Sequence, residues 1–203
     1  MSRRVLWDVD TQVDFVHPDG KLAVPGAPAA VPAMARLVEA ARRAGIPHVA
    51  SADDHELTDA EISEQPDFSA TYPPHCLRGT RGAEKIAATR QADPVPLALS
   101  EVPERWFRGR EFLLLKKSFD VFTNPNTERL LEWLDPQEIV LFGVATDVCD
   151  DAAIRGLLER GRAVTFVEDA ARGLDEARTT ACLAGWRAQG VRFVTSEVVV
   201  DEL

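Results

Sequence analysis

The chain has 203 residues, 45% hydrophobic and 28% charged, with 23 Lys and Arg against 33 Asp and Glu for a formal charge of −10. That length and balance favour a single domain over residues 1–203 with a sizeable core, and exclude a disordered, collagen-like or coiled-coil chain. The deficit of cations excludes a broad basic surface for nucleic acid or for an anionic membrane, and no stretch approaches the ~20 apolar residues of a membrane span.

Short apolar runs alternate with helical patterns, which predicts an α/β domain with a mainly parallel sheet. Met1-Ser2-Arg3-Arg4 is basic but leads into no apolar signal-peptide run. The expectation is a cytoplasmic protein, and the odd count of three cysteines, which makes no disulfide framework, agrees. The first predicted strand is Arg4–Val9. A helix follows from Pro28 to Ala44, with Met34, Leu37, Val38 and Ala41 at helical spacing and Gly45 as its stop. The second strand is Ile46–Ala52. From Asp53 to Arg110 the rhythm breaks, with at most a short helix near Glu84–Arg90, and prolines and glycines cluster from Pro66 to Pro103. A long irregular stretch in a compact domain is usually functional, and this one leaves the carboxyl end of a strand, where open α/β sheets bind ligands. Next come a strand Glu111–Lys116 and a helix Thr127–Leu134 stopped by Pro136. The run Ile139-Val140-Leu141-Phe142 makes Glu138–Gly143 a strand covered on both faces. A helix Asp147–Arg160, a strand Ala163–Glu168, a helix Leu174–Gln189 and a strand Arg192–Thr195 complete the reading.

Three polar positions lie at strand ends. Asp10, in Asp8-Val9-Asp10-Thr11-Gln12-Val13-Asp14-Phe15, leaves a buried strand, where desolvation makes a carboxylate a proton acceptor. An ordinary turn or helix cap is the other reading, and position alone favours it. Of Lys116 and Lys117, strand alternation turns one inward and one outward. Cys149 falls in the first turn of the helix after Gly143, where free N–H groups and the helix dipole favour a thiolate and can hold an oxyanion. A buried, inert thiol is the alternative, and it is the reading for Cys182 near Trp186. In the irregular stretch, Asp53 and His55 form an Asp-x-His element. Asp59, Glu61, Glu64 and Asp67 follow, then His75 beside Cys76. Carboxylates with imidazoles suit zinc, manganese or iron, whereas an acidic surface loop needs no metal. His17 and His48 read as structural or surface residues.

Three segments carry a resemblance over nearly the whole chain: Asp10-Thr11-Gln12-Val13-Asp14-Phe15, Leu115-Lys116 with Phe119 and Phe122, and Gly143-Val144-Ala145-Thr146-Asp147-Val148-Cys149. A fourth, Pro66-Asp67-Phe68 through Tyr72-Pro73-Pro74-His75-Cys76-Leu77-Arg78-Gly79-Thr80-Arg81-Gly82-Ala83, is specific to a subgroup. The chain resembles the isochorismatase-like cysteine hydrolases, and among them the nicotinamidases. The resemblance implies a three-layer α/β/α sandwich with a six-stranded, mostly parallel sheet. It implies a triad of Asp10, Lys116 and Cys149, Lys117 fitting the family spacing less well. It implies a cis peptide at Val144–Ala145, with the Ala145 and Cys149 amides as the oxyanion hole. Asp53, His55 and His75 match metal ligands. A further family histidine is replaced by Glu61, with Glu64 near enough to substitute. Phe15 and Tyr72 match the aromatic pair around the substrate ring, Tyr72 standing where Trp is usual, and Asp150 and Asp151 stand where an apolar residue is common. The implied activity is hydrolysis of nicotinamide to nicotinate and ammonia through a thioester, with a divalent ion, zinc before manganese or iron. A homo-oligomer acting on a small amide is the expected form. The alternatives are a related hydrolase of another small amide or ureido substrate, or a non-catalytic binding module.

Overall fold

The computed structural model describes residues 4–203, so the Met1–Arg3 part of the basic N-terminus lies outside the described residues. Its strands are β1 (Arg4–Val9), β2 (His48–Asp53), β3 (Val95–Leu97), β4 (Glu111–Lys116), β5 (Glu138–Val144), β6 (Val164–Arg172) and β7 (Arg192–Val194). They form one sheet in the order β3-β4-β2-β1-β5-β6-β7, and every strand pairing in it is parallel. The helices are α1 (Val13–Val16), α2 (Ala27–Ala44), α3 (Asn126–Leu134), α4 (Asp151–Glu159), α5 (Glu176–Ala188) and α6 (Ser196–Asp201).

Two cores flank the sheet, as strand alternation requires. Trp7, Val9, Phe112, Leu114 and Leu141 pack on one face with Leu130 of α3, Ile154 of α4 and Trp186 of α5. Leu6, Val140 and Phe142 pack on the other with Met34 and Leu37 of α2 and Val199 of α6. Burying a side chain such as Leu37 contributes about 1.5–3 kcal/mol. The α2 stripe that makes this contact ends where Gly45 adopts φ 68°, a left-handed stop.

The sheet has seven strands, not six. The added strand, β3, is three residues long, contains Pro96 and pairs only with β4. An edge position tolerates a proline that an interior strand would reject. The strand predicted to stop at Glu168 runs on to Arg172, after a register shift against Leu141 and Gly143. The Glu84–Arg90 segment is not a helix; a 3₁₀ turn occupies Arg81–Ala83. The helix predicted from Asp147 begins as a π-turn, Thr146–Asp150, closed by Asp150 N–H donating to the Ala145 carbonyl at 3.1 Å, and α4 follows it. The short helices α1 and α6 were not predicted.

β4, β2, β1 and β5 are consecutive in the sheet, so their carboxyl ends lie side by side. Register places Asp53 opposite Lys116 and Val9 opposite Gly143. Gly143 has φ 144°, and a Cβ there would stand 2.1 Å from the Val9 carbonyl oxygen. β1 and β5 can therefore approach closely just before the chain turns toward Cys149.

Candidate functional site

Asp10 leaves β1 with φ 47°, a conformation that non-glycine residues seldom adopt outside functional turns. The turn is braced from two sides. Gln12 Nε2 donates to the Asp53 and Ala83 carbonyls at 2.8 and 2.9 Å, and Gln12 Oε1 accepts from Asp53 N at 2.7 Å. One buried amide thus fixes Asp10's segment to the end of β2.

The structure brings Asp10, Lys116 and Cys149 together. Lys116 is wholly buried, with Nζ 2.8 Å from Asp10 Oδ2, 2.5 Å from Asp53 Oδ1 and 3.8 Å from Cys149 Sγ. A buried ammonium without partners is untenable, and here two carboxylates hold it charged. Burial works against that charge, but Asp10 and Asp53 prevail and raise the Lys116 pKa. Lys117 points away, its Nζ 2.8 Å from Asp59 Oδ2. The Val144–Ala145 peptide is cis, and Ala145 and Cys149 line one cavity. The expectation of a stabilised thiolate needs correction. Burial pushes the Cys149 thiol well above its ordinary pKa; Lys116 opposes the rise, but Asp10 and Asp53 reinforce it. That direction favours the thiol over the thiolate, and a thiol needs a base before it can attack. Of the other two thiols, Cys76 is buried within the irregular stretch and Cys182 is half-buried on α5.

Asp53, His55, Glu61 and His75 each offer one ligand atom, all within 4.8 Å of one another. Asp53 Oδ2 lies 3.7 Å from His55 Nε2 and 3.5 Å from His75 Nε2, and Glu61 Oε1 lies 3.9 Å from His55 Nε2. Bonds of about 2.0–2.2 Å in a tetrahedral site put ligand atoms about 3.3–3.6 Å apart, so a small contraction closes this set on an ion. Both rings are held through Nδ1, His75 by the Pro73 carbonyl at 2.7 Å and His55 by Asp59 Oδ2 at 3.3 Å. Each Nε2 lone pair is then free for a metal. His55 Nε2 is buried without a hydrogen-bond partner, as expected of a ligand atom waiting for an ion. Glu61 Oε2 accepts from Phe119 N at 2.7 Å, which turns Oε1 toward the group. The donor set fits a divalent cation of the zinc class. Glu64 is exposed and stands outside the set; Glu61 takes the place left open between them.

Short backbone pairings stitch the irregular stretch. Tyr72 N–H donates to the Glu61 carbonyl at 2.8 Å, and Ser63 N–H to Tyr72's at 2.9 Å. His55 and Leu77 form another bridge. Asp14 Oδ2 accepts from Cys76 N at 2.7 Å, fixing the turn after His75. A Cβ on Gly82 would stand 2.1 Å from that oxygen. Phe15 and Tyr72, with Leu22, Val148 and Leu174, wall a small cavity whose polar lining is Asp53, Glu61 and His75 beside Cys149. Arg178 of α5 donates from Nη1 to the Phe68 carbonyl at 2.7 Å, while its Nε lies 3.2 Å from Asp147 Oδ2, so it joins α5 to the irregular stretch.

Gln12, Asp14, Ser51 and Arg178 were not marked as site residues by the sequence reading. Each acts on a backbone group or on another side chain, and such contacts leave no spacing signature.

A family model described as the isochorismatase domain matches residues 5–198. The chain belongs to the isochorismatase family. Within it, this isochorismatase-family chain is nicotinamidase-like. It is 29% identical over 197 residues to the nicotinamidase/pyrazinamidase of Mycobacterium tuberculosis, covering 95% of this chain and 99% of that one. It is 27% identical over 192 residues to the nicotinamidase of Escherichia coli, covering 86% and 85%. The fold matches the pyrazinamidase of Pyrococcus horikoshii, solved in complex with zinc, at a TM-score of 0.77 and 23% identity, covering 95% of this chain and 99% of that one. Among the described residues no helix is long and apolar enough to cross a membrane.

Proposed function

We propose that this isochorismatase-family amidohydrolase converts nicotinamide to nicotinate and ammonia through a thioester on Cys149. The observation that carries the reading is the meeting of Asp10, Lys116 and Cys149 beside an apolar cavity walled by Phe15 and Tyr72 and edged by the four-ligand group. Two aromatic walls select a flat body by stacking and by exclusion of water.

The chemistry follows from the resting states. Asp10 takes the proton of the Cys149 thiol, and the sulfur attacks the amide carbon. The carbonyl electron pair moves to oxygen, held by the Ala145 and Cys149 N–H groups. As the C–N bond breaks, Asp10 returns its proton to nitrogen and ammonia leaves. Water then adds to the thioester with Asp10 as base. The C–S bond breaks, releasing the acid, and the sulfur recovers a proton from Asp10. Lys116 stays charged throughout and balances whichever of Asp10 and Cys149 is anionic. A zinc ion held by Asp53, His55, Glu61 and His75 would supply a Lewis-acidic contact for a ring nitrogen.

Ammonia release is the test, measured on nicotinamide, pyrazinamide and benzamide with and without chelator. Turnover of the first two, loss with chelator and a far poorer rate on benzamide support the reading. Equal rates on nicotinamide and benzamide would remove the ion from substrate recognition. Ammonia from none of them would move the activity to another small amide or ureido substrate.

A further inference from the structure

Behind Asp10, on the side away from Lys116, lies a buried polar chain that the chemistry above does not use. Ser51 Oγ donates to Asp10 Oδ1 at 2.7 Å, and both residues are fully buried. The Ser51 carbonyl accepts from Lys85 Nζ at 3.1 Å, and the same ammonium lies 3.0 Å from Asp8 Oδ1. Asp8 Oδ1 also accepts from Thr11 Oγ1 at 2.8 Å, and the Thr11 and Thr89 hydroxyls are 2.5 Å apart. Lys85 is itself placed by an antiparallel bridge to Gln12. It lines no part of the substrate cavity and makes no ion pair with a catalytic group.

A carboxylate turns easily about its last torsion, because sp³–sp² rotors have broad, two-fold wells. Lys116 alone would accept either Asp10 oxygen. The serine hydroxyl removes the choice: it takes Oδ1 and leaves Oδ2 facing Lys116 at 2.8 Å. We propose that Ser51, anchored at its carbonyl by the Lys85–Asp8 pair, is a positioning residue that sets the rotation of the Asp10 carboxylate toward Cys149. The inference rests on Asp10 being the base. Lys85 acts at one remove by fixing the Ser51 peptide, so its loss should matter less than loss of the hydroxyl.

Two readouts test this on the full chain loaded with zinc. One is the kcat and KM for nicotinamide. The other is the rate of Cys149 alkylation by iodoacetamide, followed by mass spectrometry of the Cys149 peptide, which requires no choice of substrate. Ser51→Ala should lower kcat and the alkylation rate ~10–100-fold with KM within ~2-fold, the scale of a misaligned reacting group. Ser51→Thr, which keeps the hydroxyl, should restore both. Asp8→Leu with Lys85→Met, which removes the Lys85–Asp8 ion pair as a unit, should lower both ~3–10-fold and stands in if Ser51→Ala does not fold. A Ser51→Ala enzyme within ~2-fold of wild type in both readouts overturns the proposal. So does a loss confined to KM, or a Ser51→Thr variant as impaired as Ser51→Ala. Asp10→Asn separates the two levels of the argument. If it alkylates at the wild-type rate, the base assignment falls and the proposal with it. If it is slow while Ser51→Ala is not, only the positioning role falls.

Discussion

Asp150 follows the nucleophile and is fully buried, with neither carboxyl oxygen in a hydrogen bond of ordinary geometry. Burial, then the nearby Asp10 charge, push its pKa well above 3.8, and Thr146 offsets only part of the rise. Between those two values the folded chain holds a proton that the unfolded chain has lost, so folding stability falls as pH rises through that window. Asp150→Val removes the buried acid. Its unfolding free energy from denaturant titration should exceed wild type, by about 1–3 kcal/mol at pH 8 and by less at pH 5. Equal gains at the two pH values would contradict a proton-holding Asp150. For the nucleophile, Cys149→Ala should abolish turnover with an unchanged circular dichroism spectrum, while Cys182→Ala should leave the rate unaltered. Lys116→Met leaves Asp10 and Asp53 without their buried cation and should cost at least ~10³-fold in kcat. Lys117→Met loses only the partly exposed contact to Asp59 and should cost less than ~5-fold; the reverse order would exchange the two roles. Asp10, Lys116 and Cys149 were legible through the family motifs that carry them; position alone left Asp10 as a turn cap and did not choose between Lys116 and Lys117. Ser51 was not legible, because a serine inside a strand reads the same whether or not its hydroxyl meets a carboxylate.

At the scale of elements, the long strands and α2 were legible from apolar runs and glycine stops. β3 was not, because three residues with a proline among them fall below any period. The π-turn was hidden for a related reason: its sequence, Thr146 to Asp150, looks like the start of an ordinary helix, and only the Asp150 N–H to Ala145 bond distinguishes it. The irregular stretch holds its shape because its bridges are tied to the site itself, Glu61 to Tyr72 and His55 to Leu77. Ligand and wall are therefore joined by the same backbone pairing. Arg178 ties this strap to α5, with a side chain that is 43% exposed, so the tie is worth only part of a kcal/mol. Arg178→Ala should loosen the Tyr72 wall and raise KM ~2–5-fold with kcat little changed. A fall in kcat at constant KM would instead place Arg178 in the chemistry.

Across the whole molecule, charge makes the four-ligand group a determinant of stability. Asp53 and Glu61 bring two carboxylates into a buried site with two imidazoles, and Lys116 is already shared with Asp10. A divalent ion neutralises that excess, so a chelator should lower the melting temperature and added zinc should restore it. At 100 times the dissociation constant the gain is about 2.7 kcal/mol. A melting temperature indifferent to chelator would argue against an ion at this group. The order of the central strands has a consequence in time as well as in space. β1 lies between β2 and β5, and its first pairing to β5 joins Arg4 to Glu138. A chain emerging from the ribosome can display Asp10, Asp53, His55 and even Lys116 while the neighbour that delivers Cys149 is still unmade. Pairings across such separations form slowly and late. Nascent or clipped forms that stop before β5 should therefore be chemically silent, and on refolding, reactivity at Cys149 should return in step with the completed sheet rather than with the first helices.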